Sequence, residues 1–292
     1  MTLVDKGRSP GGRLATRRIA GAVVDHGAQF FTARSEDFGI AVTSLAREGV
    51  ARVWCDGFAG QDGHPRYVIE GGMNRFAKHL AHDLDVRCPA MAFAVHPTAG
   101  ATPGWRVDLD DGSGIAADAV VLTCPLPQTN SLLVTSGVHP PDELARIEYD
   151  RTLALLAVLD RPGAVPAPGG VQQPGNSIFG FIGDNQAKGI SEVPAITFHA
   201  TAAWSEEWWD AAPAAIEAAL RGAARPWLGE AEIVEAQVKR WRFATPRTVW
   251  PDPCWVAPSA APLILAGDAF AGPRVEGAFL SGRAAAAAIT DR

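Results

Sequence analysis

Short apolar runs separated by turn residues and charges alternate along the chain, and this pattern predicts a mixture of strands and helices. Thr2-Leu3-Val4 is a short β-prone run that ends at Asp5. Further strands are predicted over 90–95 and 105–109, where residues that favour a pleated backbone are concentrated. The run 119–122 is wholly apolar, which is typical of a parallel strand buried on both faces.

A predicted amphipathic helix covers residues 75–81. It follows a turn at Gly71-Gly72-Met73, and the spacing of its apolar residues places Phe76, Leu80 and Leu84 on one face. Such spacing indicates a helix whose apolar stripe faces a core.

The C-terminal part of the chain predicts one more strand and one more helix. The apolar run 263–266 is a predicted strand, and a helix is predicted to begin at Arg274 and to continue to Ile289. The Gly- and Pro-rich stretch 162–175 is a predicted loop. A further helical stretch carries three tryptophans, for which core packing or a helix edge is favoured over a substrate cage: Trp204, Trp208 and Trp209.

Composition places the chain among folded proteins of enzyme size. The 292 residues are 47% hydrophobic and 20% charged, which supplies a core and excludes a disordered chain. At about 150 residues per domain, this length predicts roughly two domains. The net charge of −6 comes without a basic stripe, so nucleic acid and anionic membranes are poor candidates as partners.

Signals for export, membrane insertion and metal binding are weak. Charges at Asp5 and Lys6 stand where a signal peptide needs an apolar run, and the longest uncharged stretch, 119–141, contains four prolines. The four cysteines form no CxxC pair and no zinc spacing. His79 and His82 have helical spacing but no third ligand in view, so a surface position is favoured. We therefore expect a cytoplasmic protein with no membrane span and no metal.

The first segment with candidate chemistry lies near the start of the chain. Gly11 and Gly12 allow the backbone to approach a ligand closely, and Arg13 offers a rigid fork for phosphate or hydroxyl oxygens. A Pro-Gly turn with a solvated arginine is the alternative. Asp5 follows a strand, as does the ribose-binding acid of a dinucleotide-binding unit, although an ordinary turn residue explains this position equally well.

The second segment is Asp25-His26-Gly27-Ala28-Gln29-Phe30-Phe31. Its polar groups stand beside small residues and two aromatic rings, a mixture that suits a flat ligand lying against the backbone. Gln29 or His26 would then face the polar edge of that ligand. The alternative is a strand that enters the core, with both phenylalanines as packing residues and His26 satisfied locally.

The third segment combines Gly267 and Asp268 with the helix predicted from Arg274. Asp268 is a candidate acceptor for a sugar-like hydroxyl, and the small residues Gly277 and Ala278 allow the helix to approach a planar ligand. The first turn of a helix also presents free N–H groups and a partial positive charge. Packing of an alanine-rich helix on a sheet is compatible with the same residues.

Together these segments resemble one known family. The run 5–17 is similar to the GGR segment that follows a strand in the flavin amine-oxidase superfamily, and most similar to its renalase-like branch of predicted NAD/FAD-dependent oxidoreductases. The similarity continues in the family's order through 25–32, 70–74, 266–270 and 272–282. The family's opening strand, GxGxxG turn and first helix have no counterpart in the sequence.

The resemblance implies an α/β fold. A Rossmann-like three-layer FAD-binding domain, incomplete at the N-terminus, would carry an inserted antiparallel α+β substrate domain. Residues 1–35, 70–126 and 258–292 are assigned to the FAD-binding domain, and residues 36–69 and 127–257 to the substrate domain.

The resemblance also implies an FAD-dependent oxidoreductase that oxidises a small molecule by hydride transfer to flavin N5. The redox partner would be O₂ or a nicotinamide nucleotide, and FAD would be noncovalent because no cysteine lies in a family attachment motif. The implied cofactor-binding residues are Asp5, Lys6, Gly11, Gly12, Arg13, Gly27, Ala28, Gln29, Gly267, Asp268, Gly277 and Ala278. The candidates lining the flavin or the substrate are His26, Gln29, Phe30, Trp241, Arg242 and Arg274.

Several alternatives stay open. Renalase-like proteins act on aberrant dihydronicotinamides and amine oxidases act on amines, and the sequence does not choose between these substrates. Lys188 lies in no matched motif, so the lysine that amine oxidases use near flavin N5 is not assigned to it.

The rival interpretation is a non-catalytic binding or scaffold protein that has lost FAD. The GxGxxG turn supplies N–H groups that hold the pyrophosphate, so we expect low FAD occupancy in this form. The favoured explanation for the missing GxGxxG unit is that the natural protein starts upstream of Met1.

Overall fold

The computed structural model describes residues 1–58, 64–100, 102–175 and 177–290. Strands and helices are interspersed along these ranges, as the sequence predicts. The strands are β1 Thr2–Val4, β2 Thr16–Ile19, β3 Ala22–Asp25, β4 Ala51–Cys55, β5 Arg66–Ile69, β6 Asp85–Arg87, β7 Ala92–Thr98, β8 Gly104–Leu109, β9 Gly114–Ala117, β10 Val120–Leu122, β11 Tyr149–Leu159, β12 Gly170–Gln172, β13 Phe179–Asp184, β14 Ala195–Ala200, β15 Ile233–Pro246, β16 Trp255–Val256 and β17 Leu263–Leu265. The helices are α1 Glu36–Arg47, α2 Asn74–Leu80, α3 Leu126–Leu133, α4 Asp142–Ala145, α5 Ala202–Glu207, α6 Pro213–Ala224 and α7 Val275–Thr290, and Arg225–Trp227 forms a short 3-10 helix.

The chain forms two compact units, each assembled from several segments. The first unit comprises Met1–Gly12, Ala81–Tyr149 and Thr245–Arg292, and the second comprises Arg13–Leu80 and Asp150–Ala244. The division into FAD-binding and substrate domains stays a prediction, because compactness alone does not say which residues hold a ligand.

The first unit contains two parallel strand pairs. Strand β1 pairs with β6, with Leu3 opposite Val86, and β10 pairs with β17, with Val121 opposite Ile264. Strand β16 adds to β17 in antiparallel orientation, and β7, β8 and β9 form a separate antiparallel sheet. The parallel strand predicted over 119–122 is therefore confirmed, but its predicted burial on both faces is wrong, because the Val121 side chain is exposed.

The second unit is built on the five-stranded sheet β12-β13-β14-β11-β15. Residues of a strand point alternately to its two faces, and β11 is apolar on both. Leu153 and Leu155 join the core that includes Ile216 of helix α6, whereas Leu156 and Val158 pack with the β2–β3 hairpin. This packing explains why residues 153–159 of β11 form a continuous apolar run, and it fixes the hairpin on one face of the sheet.

Two sequence predictions about local structure are wrong in part. Helix α2 ends at Leu80, so Leu84 lies beyond it, and the Leu80 side chain is exposed while Phe76 is buried. The stretch 162–175 is not only a loop, because Gly170–Gln172 pairs with Phe181–Gly183 as strand β12.

Core packing is the role the structure gives the three tryptophans of the helical stretch. Trp204 is buried in the core of the second unit, and Trp208 and Trp209 pack against that core. In the described part of the chain, no helix combines the length and apolar character that crossing a bilayer requires.

Candidate functional site

The segment 25–31 forms a tightly bonded turn after strand β3 in the second unit. The N–H of His26 donates to the Ala15 carbonyl oxygen at 3.0 Å, and the N–H of Ala28 donates to the Arg13 carbonyl oxygen at 2.9 Å. A Cβ atom at Gly27 would overlap the carbonyl oxygen of Arg13, so only glycine allows this close approach. The turn is therefore packed directly on the backbone of residues 13–15.

Asp25 is fully buried, and its carboxylate joins two neighbouring segments to the turn. Its Oδ1 accepts hydrogen bonds from the Thr16 hydroxyl at 2.6 Å and from the Met73 N–H at 2.9 Å. The Thr16 oxygen in turn accepts from the N–H of Asn74 at 3.0 Å. The Gly-Gly-Met turn at 71–73 is thereby bound to Asp25, which the sequence analysis did not single out.

Lys188 is the buried cation that faces this carboxylate. Its Nζ lies 3.0 Å from Oδ2 of Asp25 and 3.2 Å from both the backbone oxygen and Oε1 of Gln29. The two contacts with Gln29 are hydrogen bonds, and the contact with Asp25 is an ion pair. Burial lowers the pKa of Lys188, and the charge of Asp25 opposes that shift.

Side chains satisfy the carbonyl oxygens of the turn. The amide of Gln29 donates to the oxygens of Asp25 and Gly27, at 2.7 and 3.2 Å. The hydroxyl of Thr197 also donates to the Asp25 oxygen, at 2.7 Å. The Gln29 side chain thus makes its contacts within the second unit. Its expected contact with a cofactor stays a prediction.

His26 is held by two aromatic side chains. Its ring stacks on Trp241, with centroids 5.3 Å apart, and its carbonyl oxygen accepts from Trp241 Nε1 at 2.7 Å and from His199 Nε2 at 3.2 Å. Burial, and then the charges of Lys239 and Arg17, lower the pKa of His26 to about 3. His26 is therefore neutral near pH 7, and within the described residues its buried Nδ1 has no hydrogen-bond partner.

Phe30 belongs to an aromatic cluster of the second unit. Its ring centroid lies 6.2 Å from that of Trp54, 5.3 Å from that of Phe58 and 5.7 Å from that of Phe181. The Arg66 guanidinium lies 5.5 Å from the Phe30 centroid, a distance that permits a cation–π interaction. The packing interpretation of this phenylalanine accounts for these contacts.

The strand that carries Trp241 also contacts Arg13. The Arg13 guanidinium donates to the carbonyl oxygens of Phe243 and Ala244, at 3.4 and 3.3 Å, whereas Arg242 is exposed. Seven of the predicted residues therefore share one region of the second unit: Arg13, His26, Gly27, Ala28, Gln29, Phe30 and Trp241.

The segment 184–188 connects this region to an open cleft of about 540 Å³. Asn185 Oδ1 accepts from the Asp25 N–H at 3.2 Å, while Asp184 and Ala187 line the cleft beside Trp54. Burial raises the pKa of Asp184. One short segment thus holds the Asp25 turn and forms a cleft wall.

In the first unit, Asp5 closes a turn after strand β1. Its Oδ1 accepts from the N–H of Gly7 at 2.7 Å, and its backbone pairs with Arg87 and Ala90. These contacts fit the interpretation of Asp5 as a turn residue. A cofactor contact is compatible with them, since a carboxylate has a second oxygen. Lys6 and Gly12 are exposed beside this turn.

The other predicted residues of the first unit lie where strand β17 leads to helix α7. The N–H of Gly267 donates to the Ser281 hydroxyl at 2.8 Å, and Asp268 is half-buried. A Cβ atom at Gly277 would overlap the carbonyl oxygen of Gly272. Glycine is therefore required at this contact, while Arg274 is exposed just before the helix.

These features of the first unit fit FAD. A Cβ atom at Gly12 would meet open space, so a ligand has access to the backbone there. The carboxylates of Asp5 and Asp268 are suited to the hydroxyl groups of ribose and ribityl chains. The N-terminus of α7 is suited to negative charge.

Within the described ranges, no group of three or more His, Cys, Asp or Glu residues is placed to hold a metal ion. His79 lies 3.2 Å from Glu48, and His82 lies 2.8 Å from Asp83. The two histidines therefore each face a carboxylate.

Comparison with known families identifies two matches that together span nearly the whole chain. The family described as flavin containing amine oxidoreductase matches residues 48–290. The family described as NAD(P)-binding Rossmann-like domain matches residues 1–46. These matches confirm the predicted α/β fold with a Rossmann-like unit.

Solved structures share this fold at low sequence identity. A putrescine oxidase has a TM-score of 0.65 at 13% identity, covering 98% of this chain and 93% of that chain. A cyclohexylamine oxidase from Brevibacterium oxydans IH-35A has a TM-score of 0.57 at 14% identity, covering 79% and 55%. An oxidoreductase from Methanosarcina mazei has a TM-score of 0.53 at 15% identity, covering 77% and 56%. The chain thus spans about half the length of the last two proteins.

Proposed function

Because the chain belongs to the flavin containing amine oxidoreductase family, we propose that it oxidises a small organic molecule with a noncovalently bound FAD as cofactor. The observation that carries this proposal is the family match over residues 48–290. Bound FAD supplies a two-electron acceptor, to which the substrate gives a hydride at N5. The redox partner is O₂ or a nicotinamide nucleotide.

Residues of the first unit would hold the cofactor mainly through its sugar and phosphate groups. Asp5 would accept a hydrogen bond from the adenosine ribose, and Asp268 would accept one from a ribityl hydroxyl. Lys6 and the N-terminus of helix α7 balance the phosphate charge. Four small residues give these groups access to the backbone: Gly11, Gly12, Gly277 and Ala278.

The second unit, taken by itself, carries further candidates for contact with a flat ligand or a substrate. The planar guanidinium of Arg13 is suited to phosphate or ribityl oxygens, and the small residues Gly27 and Ala28 would let a flat ring lie close to the backbone. Trp241 and His26 form a rigid stacked pair, which suits them as a wall of the substrate site. Arg242 is a further candidate at this wall because its guanidinium is exposed.

His26 does not serve as a general base in this proposal. With its pKa lowered to about 3, it is a poor proton acceptor near pH 7, where catalytic bases are tuned close to the working pH. Its neutral ring instead adds an uncharged surface beside Trp241.

The substrate class is an amine or a dihydronicotinamide, the second of which corresponds to the renalase-like branch. Oxygen uptake and hydrogen peroxide formation should be measured with FAD-loaded protein and a panel of primary, secondary and polyamines. The same panel should include reduced nicotinamides and their isomers. Anaerobic bleaching of the flavin absorbance separates hydride donation from reoxidation.

Cofactor binding is tested on its own by titrating the protein with FAD and following flavin fluorescence. Asp5→Asn keeps an acceptor for Gly7 but loses the charge, and the loss of one charge-assisted hydrogen bond should weaken FAD binding about tenfold or more. Asp142→Asn is the control, because Asp142 forms an exposed ion pair with Arg146. A folded protein that takes up no FAD would contradict the proposal and favour a non-catalytic binding protein.

A further inference from the structure

Lys188 ties together both ends of the turn 25–29. Its Nζ donates to the carbonyl oxygen and to the side-chain oxygen of Gln29, both at 3.2 Å, and forms an ion pair with the Asp25 carboxylate at 3.0 Å. All of these partners thus belong to two residues four positions apart. A buried cation with this set of partners can hold the turn in one conformation.

The turn 25–29 also sets the position of the His26–Trp241 pair. In the sequence, His26 lies between Asp25 and Gln29, the two residues that Lys188 contacts. Its carbonyl oxygen accepts a hydrogen bond from the Trp241 N–H at 2.7 Å. The same indole stacks on the His26 ring. A change in the turn must therefore move the indole or break one of its contacts.

We propose that Lys188 is a positioning residue, which fixes the turn 25–29 and, through His26, the orientation of Trp241. Its importance for the enzyme rests on the proposed function, in which Trp241 forms a wall of the substrate site. The positioning itself is a property of this chain and is measurable without cofactor or substrate.

Charge balance alone does not account for a lysine at this position. Removing two charges from water is costly, and a buried ion pair is often replaced by apolar residues of similar volume without loss of stability. The backbone around Lys188 is fixed as well. Arg52 donates to the Lys188 carbonyl oxygen, and the Asp184 carboxylate accepts from the N–H groups of Gln186 and Ala187. The Lys188 side chain therefore starts from a fixed backbone, and its two hydrogen bonds to Gln29 have a defined direction.

The experiment compares Lys188→Met with the double variant Asp25→Asn/Lys188→Met. The first leaves the Asp25 carboxylate buried without its cation, and a loss of this kind should lower Tm by about 10 °C. The second removes both charges and should recover most of that loss. Ser205→Ala is the matched control, because it removes a buried hydroxyl that accepts from the Leu153 N–H and thus lowers Tm away from the turn.

The readout is the ¹⁹F resonance of Trp241 in protein labelled with 5-fluorotryptophan, assigned with Trp241→Phe. We expect the double variant to regain its Tm but to keep a shifted or broadened Trp241 resonance, because the two hydrogen bonds to Gln29 and the ion pair with Asp25 are still missing. Ser205→Ala should leave this resonance in place. If Lys188→Met does not fold, the double variant still gives the decisive comparison.

Two results would overturn the proposal. One is a Trp241 resonance that is unchanged in the double variant, which would mean that Lys188 only balances the charge of Asp25. The other is an equal shift in Ser205→Ala, which would mean that the resonance follows stability. Neither result depends on FAD. A failure of the positioning proposal can therefore be told apart from a failure of the proposed function. If both proposals hold, the double variant should raise KM for the substrate several-fold more than it lowers kcat.

Discussion

The indole of Trp241 stacks on the ring of His26 and donates its N–H to the carbonyl oxygen of the same residue. The ring centroids are 5.3 Å apart, and the hydrogen bond measures 2.7 Å. One side chain therefore contacts both the ring and the backbone of His26. This double contact makes the orientation of the pair sensitive to small changes on either side.

Trp241→Phe should separate these two contacts. It keeps an aromatic ring for stacking but removes the hydrogen bond, so the free energy of unfolding should fall by about 1 kcal/mol. Urea unfolding measures this change, and substrate KM should rise if Trp241 lines the proposed site. Trp105→Phe is the matched control, since its indole donates to the Pro262 carbonyl oxygen in the first unit. A similar loss of stability with unchanged KM is expected for the control.

Gly27→Ala should be strongly destabilising. The added methyl group would overlap the carbonyl oxygen of Arg13, and relief requires a shift of the backbone, at a cost of about 3 kcal/mol or more. Gly222→Ala is the control, because Gly222 lies in helix α6 and a Cβ atom there meets open space. Alanine should stabilise that helix by up to about 1 kcal/mol. Equal effects of the two substitutions would contradict the close packing of the turn on residues 13–15.

Gly277→Ala should disturb the start of helix α7. Its Cβ atom would overlap the carbonyl oxygen of Gly272, so the loop before the helix must move, and FAD binding should weaken about tenfold or more if this region holds the cofactor. Gly282→Ala is the control, because Gly282 lies in the same helix and a Cβ atom there meets open space. This variant should leave the affinity for FAD unchanged. Fluorescence titration with FAD compares both variants with the parent protein. An unchanged affinity of a folded Gly277→Ala would remove this region from the cofactor site.

Acid should destabilise the second unit through two histidines. Burial is the main cause that lowers the pKa of His26 to about 3 and that of His199 to about 4, from 6.5. Unfolding therefore takes up protons between pH 6.5 and 4, so this contribution to stability is complete above pH 6.5 and is lost as the pH falls. Each histidine accounts for a decrease on the order of 3 kcal/mol over this range.

His199→Gln should flatten this pH dependence. A carbonyl oxygen only accepts, so the Nε2 that faces the His26 oxygen carries a hydrogen, and the glutamine amide keeps a donor but does not titrate. Urea unfolding at pH 4.5 and pH 7 gives the comparison. His82→Gln is the control, because His82 is exposed beside Asp83 and should leave the slope unchanged. A slope that is equal in all three proteins would show that His199 titrates normally.

The sequence predicts local elements well where the apolar pattern is short and bounded. Strands β1, β10 and β17 and helix α7 lie where the alternation of apolar and turn residues places them. Leu80 was assigned to a buried face because spacing does not show where a helix ends. The helix stops at this residue, and its side chain therefore remains exposed.

The contacts within the candidate site are beyond the reach of sequence patterns. Lys188 lies 159 positions from Gln29, and no motif links the two. Asp25 belongs to a segment that the sequence singles out, and its carboxylate contacts Thr16, Met73 and Lys188. The signal available in the sequence was a lysine within a segment of small and polar residues.

The burial of Lys188 also gives the protein an internal reporter. The chain has four lysines, of which Lys6 and Lys78 are exposed and Lys188 is not exposed at all. An amine-reactive acylating reagent should label the exposed lysines in the native protein and spare Lys188. The rate at which peptide mass spectrometry finds Lys188 acylated then measures how often the second unit opens.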